Sequence, residues 1–245
     1  MPALLESGIA AMAVRLLVHG LIALGLWLGL ENTELTPDQR RATWVTIMVP
    51  FTLWMALAWG SAINGWFRPE VTSLPLLPMA IFLPLIIGAS LLLSSKRVGE
   101  VLDAMPLTWL VALQLYRVFG SQWLVYWLHG AIPGIFGVPA GTGDVLTGLF
   151  AVPVAIALAS GSAEARKTAM LWNIFGIADF VVAVTMGLIT SPGPLQLIVP
   201  TGASIGSGIY PNVLTPAFVV PSSILLHAVS LRQLSRRGRT KAAVG

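Results

Sequence analysis

Long apolar stretches separated by short polar breaks run the length of the chain, and they predict an all-α, polytopic membrane helix bundle of seven transmembrane helices. The stretches cover residues 9–30, 42–62, 74–94, 107–128, 144–160, 168–190 and 215–234. Each is close to the roughly 20 residues that a helix needs to cross the hydrocarbon core. Polar residues interrupt four of them from within: Arg15 and His19 in the first, Arg117 in the fourth, Asp179 in the sixth and His227 in the last. A bilayer tolerates such groups only where protein or water satisfies them, so the pattern predicts a polar site inside the bundle.

Composition agrees with the pattern. Hydrophobic residues make up 56% of the chain and charged residues only 10%, with a mean hydropathy of +0.83. A soluble domain carries about 25% charged residues. Seven spans leave short loops, so residues 1–235 are expected to form one transmembrane domain, followed by a basic cytoplasmic tail over 236–245. The absence of cysteine excludes disulfides, thiolate metal sites and cysteine nucleophiles.

Charge sets the expected orientation. Arg40, Arg41, Lys96, Arg97, Arg166, Lys167 and the cations of the tail share one side of a seven-span chain, and Arg68 alone lies in the opposite loops. Positive residues stay cytoplasmic, which puts the N-terminus out and the C-terminus in. Tryptophan gives the same two belts, with Trp27, Trp44, Trp109 and Trp172 inside and Trp59, Trp66, Trp123 and Trp127 outside. Arg15 interrupts the first span and no basic segment precedes it, so that span is expected to be retained. The high isoelectric point comes from these topology-setting residues and does not indicate nucleic acid. The expected partners are the lipid bilayer and a small-molecule or lipid-like ligand.

The loops 129–143 and 191–216 are uncharged and rich in Gly and Pro, with Ile135, Phe136, Leu195, Ile198, Ile205 and Tyr210 among them. They are expected either to fold over the bundle as a lid or to rest on headgroups.

Arg117 and Asp179 lie ten and eleven residues into their spans, about 15 Å along each axis, so the two are expected to pair near the midplane. Gln114, Arg117 and Ser121 share a helical face. The pair reads either as a staple between helices or as a switch in which neutralising Asp179 releases Arg117 for a ligand. Arg15 and His19 share a face of the first span, and Asp144, at the start of the fifth, is a partner for Arg15 or an N-cap. His227 has Ser223 and Ser230 nearby, with Pro216 and Pro221 to kink its helix.

Other chemistry has weaker support. No His-Glu-x-x-His, Walker loop or Gly-x-Ser-x-Gly elbow is present, and the last span has no lysine for a retinal Schiff base. No metal site and no cofactor are therefore assigned. Haem b remains an alternative through His19 and His129, both expected in the outer half.

The segments Gln114-Leu-Tyr-Arg117, Pro139-Ala-Gly-Thr-Gly-Asp144, Trp172-Asn173-Ile-Phe-Gly176 with Asp179, and the run from Leu225 through His227 to Leu234 resemble an uncharacterised family of bacterial multi-spanning membrane proteins. The resemblance covers mainly residues 107–234 and implies a bacterial inner-membrane location and no particular activity. The resulting expectation is a protein that binds or transports a small molecule at a polar intramembrane site in the outer half of the bundle, with proton coupling. Gln114, Arg117, Asn173 and Asp179 with Arg15, His19, Asp144 and His227 are its candidate residues. The alternative is an intramembrane enzyme acting on a lipid or isoprenoid, with Asp144 or Asp179 as acid and His19 or His227 as base.

Overall fold

The computed structural model describes residues 8–200 and 209–242, with side-chain environments for 12–95, 98–200 and 209–236. Among the described residues every regular element is helical. This follows from the composition, since backbone polar groups in hydrocarbon must be satisfied within their own segment. The helices are α1 (Gly8–Glu31), α2 (Pro37–Ile63), α3 (Leu76–Ser94), α4 (Lys96–Asp103), α5 (Leu107–Ala112), a 3-10 segment (Leu113–Gly120), α6 (Ser121–Leu128), α7 (Gly134–Ala159), α8 (Ala163–Thr190), a π-helical turn (Thr215–Val219) and α9 (Val220–Ala242).

Six helices among the described residues are long and apolar enough to cross a membrane. The fourth stretch is helical throughout, but it is broken into α5, the 3-10 segment and α6, each too short to cross alone. The break coincides with close backbone packing. A Cβ on Gly148 of α7 would meet the backbone of Arg117 and Val118. The tighter 3-10 winding also eclipses residues three apart, lining up Gln114 and Arg117 on the inward face, where both are buried, and leaving Ser121 exposed.

The fifth span differs more from its sequence reading. α7 begins at Gly134, not at 144, so most of the expected outer loop is helix. Asp144 is consequently the eleventh residue of α7, about 15 Å inside it, and is not an N-cap. The other Gly/Pro-rich loop is irregular over 191–200 and turns through 209–214, and its remaining residues, Ile205 among them, lie outside the described ones.

The last span is the hub. Its membrane-length window is 72% buried, against 11% for α3, so α9 and the π turn form the interior post and α3 faces outward. Leu57, Ile86, Leu93 and Ile156 project outward as exposed apolar side chains, a surface suited to hydrocarbon. α7 packs along the 3-10 segment, α5, α6 and α8. Trp123 and Trp172 are buried packing residues within the bundle.

α9 continues as helix through the residues assigned to a tail. It is fastened to α4 and α3: Arg232 donates to Asp103 of α4 at 3.2 Å and to the Leu92 carbonyl of α3, and Arg236 meets Asp103 at 2.5 Å. Gln233 donates to the Leu102 and Met105 carbonyls at 2.9 Å each, capping the end of α4. At least these two arginines of the basic cluster are held by protein.

Candidate functional site

Arg117 is the centre of a buried ion cluster assembled from four elements. Its Nε donates to Asp144 Oδ1 of α7 at 2.8 Å, and its Nη2 pairs with Asp179 Oδ2 of α8. Nη1 donates to the Gly176 carbonyl at 3.1 Å and meets His227 Nε2 of α9 at 3.2 Å. The Phe180 ring lies against the flat face of the guanidinium, 3.7 Å from Cζ to the ring centroid. Arginine offers a rigid fork of five N–H donors, and four are used here, which lysine cannot reproduce.

A second layer orients the first. His227 Nδ1 lies 2.8 Å from Asn173 Oδ1, while Asn173 Nδ2 donates to the Ala169 carbonyl at 2.7 Å and Ser230 Oγ at 3.1 Å. Since Nη1 of arginine only donates, His227 accepts at Nε2 and donates from Nδ1 to the amide oxygen. Trp172 packs on the imidazole at 5.2 Å between centroids and donates to the Thr147 carbonyl at 3.2 Å.

Close packing of helices makes room for these groups. A Cβ on Gly143 would overlap the Asp179 carboxylate, and one on Gly176 would strike the His227 ring and Arg117 Nη1. Glycine lets α7 and α8 approach closely enough for both carboxylates to reach one guanidinium.

The ion pair expected between Arg117 and Asp179 is present. The expected pair of Arg15 with Asp144 is not, because Asp144 lies deeper than its sequence reading placed it and is held by Arg117. Arg15 instead donates to Thr215 Oγ1 at 2.8 Å. His19 lies apart from the cluster, stacked on Phe51 at 4.9 Å and 3.1 Å from Thr52 Oγ1. Gln114 sits behind it, donating to the Ser223 carbonyl at 3.4 Å, and Ser223 Oγ contacts the Tyr116 hydroxyl. His227 and Asn173 are brought together as one hydrogen-bonded unit with Arg117. The sequence reading missed Phe180, Tyr116, Thr215 and the buried role of Trp123. Phe180 and Tyr116 adjoin ionisable residues in the sequence, which was the available signal.

The cluster opens on a cavity of ≈ 330 Å³. Arg15, Tyr116, Arg117, Gln122 and Asp144 provide its polar wall, and Phe180, Trp123 and Val219 much of its apolar one. Asp144 accepts from Arg117 through Oδ1 only, and its side chain retains 12% exposure, so a ligand can reach this carboxylate. His19 and His129 line neither this cavity nor its smaller neighbour, and His129 is exposed at a helix end with Nδ1 against the Val125 carbonyl.

An all-helical bundle of membrane type with a charged cluster beside an internal cavity is thus defined. The chain belongs to the family of a domain of unknown function, DUF8737, whose model matches residues 74–235. The match begins at the third apolar stretch, one span earlier than the resemblance noted in the sequence. No curated protein and no solved structure matches the chain.

Proposed function

We propose that this is a multi-pass protein of a bacterial inner membrane that binds or transports a small molecule at the Arg117–Asp144–Asp179 site, with proton coupling. It crosses seven times, N-terminus out and C-terminus in. The interrupted fourth stretch supplies the remaining crossing: its helical course from 107 to 128 extends about 37 Å, at about 1.5 Å per α-helical and about 2.0 Å per 3-10 residue, enough for a core of about 30 Å. On this topology the cavity lies in the outer half, since Val14 and Arg15 are near the start of α1 and Phe119 to Val125 near the outer end of the fourth span.

One observation carries the reading: two carboxylates converge on a single buried guanidinium, and one of them borders a cavity. The trio sums to one negative charge when both carboxylates are ionised. A proton on one of them balances the charge, and its loss or gain changes which donors Arg117 offers to a ligand. The enzyme alternative finds less support, because neither His227 nor His19 borders the cavity where a general base would work.

The test is ligand-dependent thermal stabilisation of the purified chain, screened with small polar metabolites between pH 5 and 8. Wild-type protein is expected to show pH-dependent stabilisation by some member of the panel, Asp179→Asn a pH-independent one, and Asp144→Asn a strongly weakened one. The same pH dependence in Asp179→Asn as in wild type rejects the coupling.

A further inference from the structure

Two internal spaces meet at Asp144. Besides the polar chamber, a narrower arm of ≈ 50 Å³ runs between Leu77 and Ile81 of α3, Ala140 of α7, and Ala183 and Gly187 of α8. The two spaces share Asp144, Trp123, Phe180 and Thr215 as walls. At about 10–15 Å³ for each water-sized sphere, the arm has room for about three to five. Away from Asp144 and Thr215 the arm is lined mostly by apolar side chains and suits an apolar group, whereas the chamber offers carboxylate and guanidinium to a polar one.

α3 packs chiefly against the last span, and α8 chiefly against α7 and the last span, so the arm follows the seam between α3 and α8.

We infer that the ligand is a small neutral amphiphile, a hydroxyl-headed molecule whose head lies in the chamber beside Asp144 and whose short apolar end, a few carbons long, occupies the arm. This rests on the proposal that the Asp144 chamber is a ligand site. The chamber walls select the head. They carry both signs, Arg15 and Arg117 against Asp144, and a hydroxyl suits such a wall because it can both donate to a carboxylate and accept from a guanidinium. The size of the arm is set by Ala140, Ala183 and Gly187, whose small side chains leave it open.

The experiment uses the full chain in phosphatidylcholine nanodiscs and a short primary alcohol carrying a diazirine near its apolar end. Photolysis and peptide mapping are expected to place the label on the arm residues of α3 or α8. Excess unlabelled alcohol should reduce it at least ten-fold, and the alkane of equal length should not. Gly187→Leu fills the arm, and its Cβ would meet only the Phe136 ring edge at 3.5 Å, so the variant should fold and lose at least five-fold of the labelling. Ala183→Leu tests the same space if Gly187→Leu does not fold. Label spread over the outer faces, unaffected by competitor or variants, overturns the inference. Propane-1,3-diol separates the two proposals: if it stabilises wild type but not Asp144→Asn while the arm stays unlabelled, the chamber is a site and the amphiphile is wrong. Absence of both effects removes both.

Discussion

Arg117 and His227, 110 positions apart, meet at 3.2 Å with the guanidinium donating to the imidazole Nε2. That contact fixes the histidine as an acceptor toward the cluster and a donor toward Asn173. His227 therefore orients Arg117 from behind, on the side away from the chamber.

His227→Phe keeps a ring against Trp172 but leaves Asn173 Oδ1 and Arg117 Nη1 each short of a partner. The expected cost is about 1–3 kcal/mol, since a buried polar group left unpaired loses its hydration without compensation. Thermal unfolding in detergent measures it. His227→Gln, which can still accept and donate, should lose less, and equal losses would show that ring packing rather than hydrogen bonding is what His227 provides.

Arg117→Met is expected to be among the most damaging single substitutions in the bundle. It removes the shared cation between two buried carboxylates, and breaking a buried pair by deleting one partner costs about 3–5 kcal/mol. The triple variant Arg117→Met, Asp144→Asn, Asp179→Asn should recover part of that loss. Failure of the triple to regain stability over the single would mean that the charges are not what the methionine disturbs.

Glycine substitutions separate packing from helix propensity. Gly143→Ala pushes a methyl group into the Asp179 carboxylate and should destabilise by about 1–3 kcal/mol, the usual cost of overpacking. Gly20→Ala, in α1 with no atom within 4 Å of its Cβ, should be neutral or stabilising by up to about 1 kcal/mol from helix propensity. Unfolding midpoints of the two variants moving in the same direction would contradict the packing argument.

The α9–α4 fastening should divide unequally between its arginines. Arg236 is 60% exposed in its side chain, and Arg236→Ala is expected to cost less than about 1 kcal/mol. Arg232 is 18% exposed and also holds the Leu92 carbonyl, so Arg232→Ala should cost about 1–3 kcal/mol. Chemical unfolding at two salt concentrations checks both, because the exposed contribution should fade with salt.

The long apolar stretches gave the helix positions, and matched depth gave the Arg117–Asp179 pair. Asp144 escaped for a physical reason. The Gly- and Pro-rich run before it carries the local signals of a loop, yet Gly137, Gly141 and Gly143 serve there as contact points for Ile132, Leu124 and Asp179. In water those glycines weaken a helix, whereas in a membrane bundle they let backbones approach. The ten-residue error at the start of α7 hid both the depth of Asp144 and its partner. The 3-10 winding around Arg117 was equally hidden, because it depends on the neighbouring helix. The His227–Asn173 unit joins two spans and leaves no trace in the spacing of either.

The wide π-helical turn at Thr215–Val219 acts as an angular offset in the innermost helix. Each α-helical residue advances the chain by about 100° about its axis, so one residue fewer there would swing everything beyond Val219 by that amount. Ser223 would turn from Tyr116, and His227 from Arg117. Thr215, which holds Arg15 on the near side, and His227 on the far side owe their common inward aim to this single loosened coil.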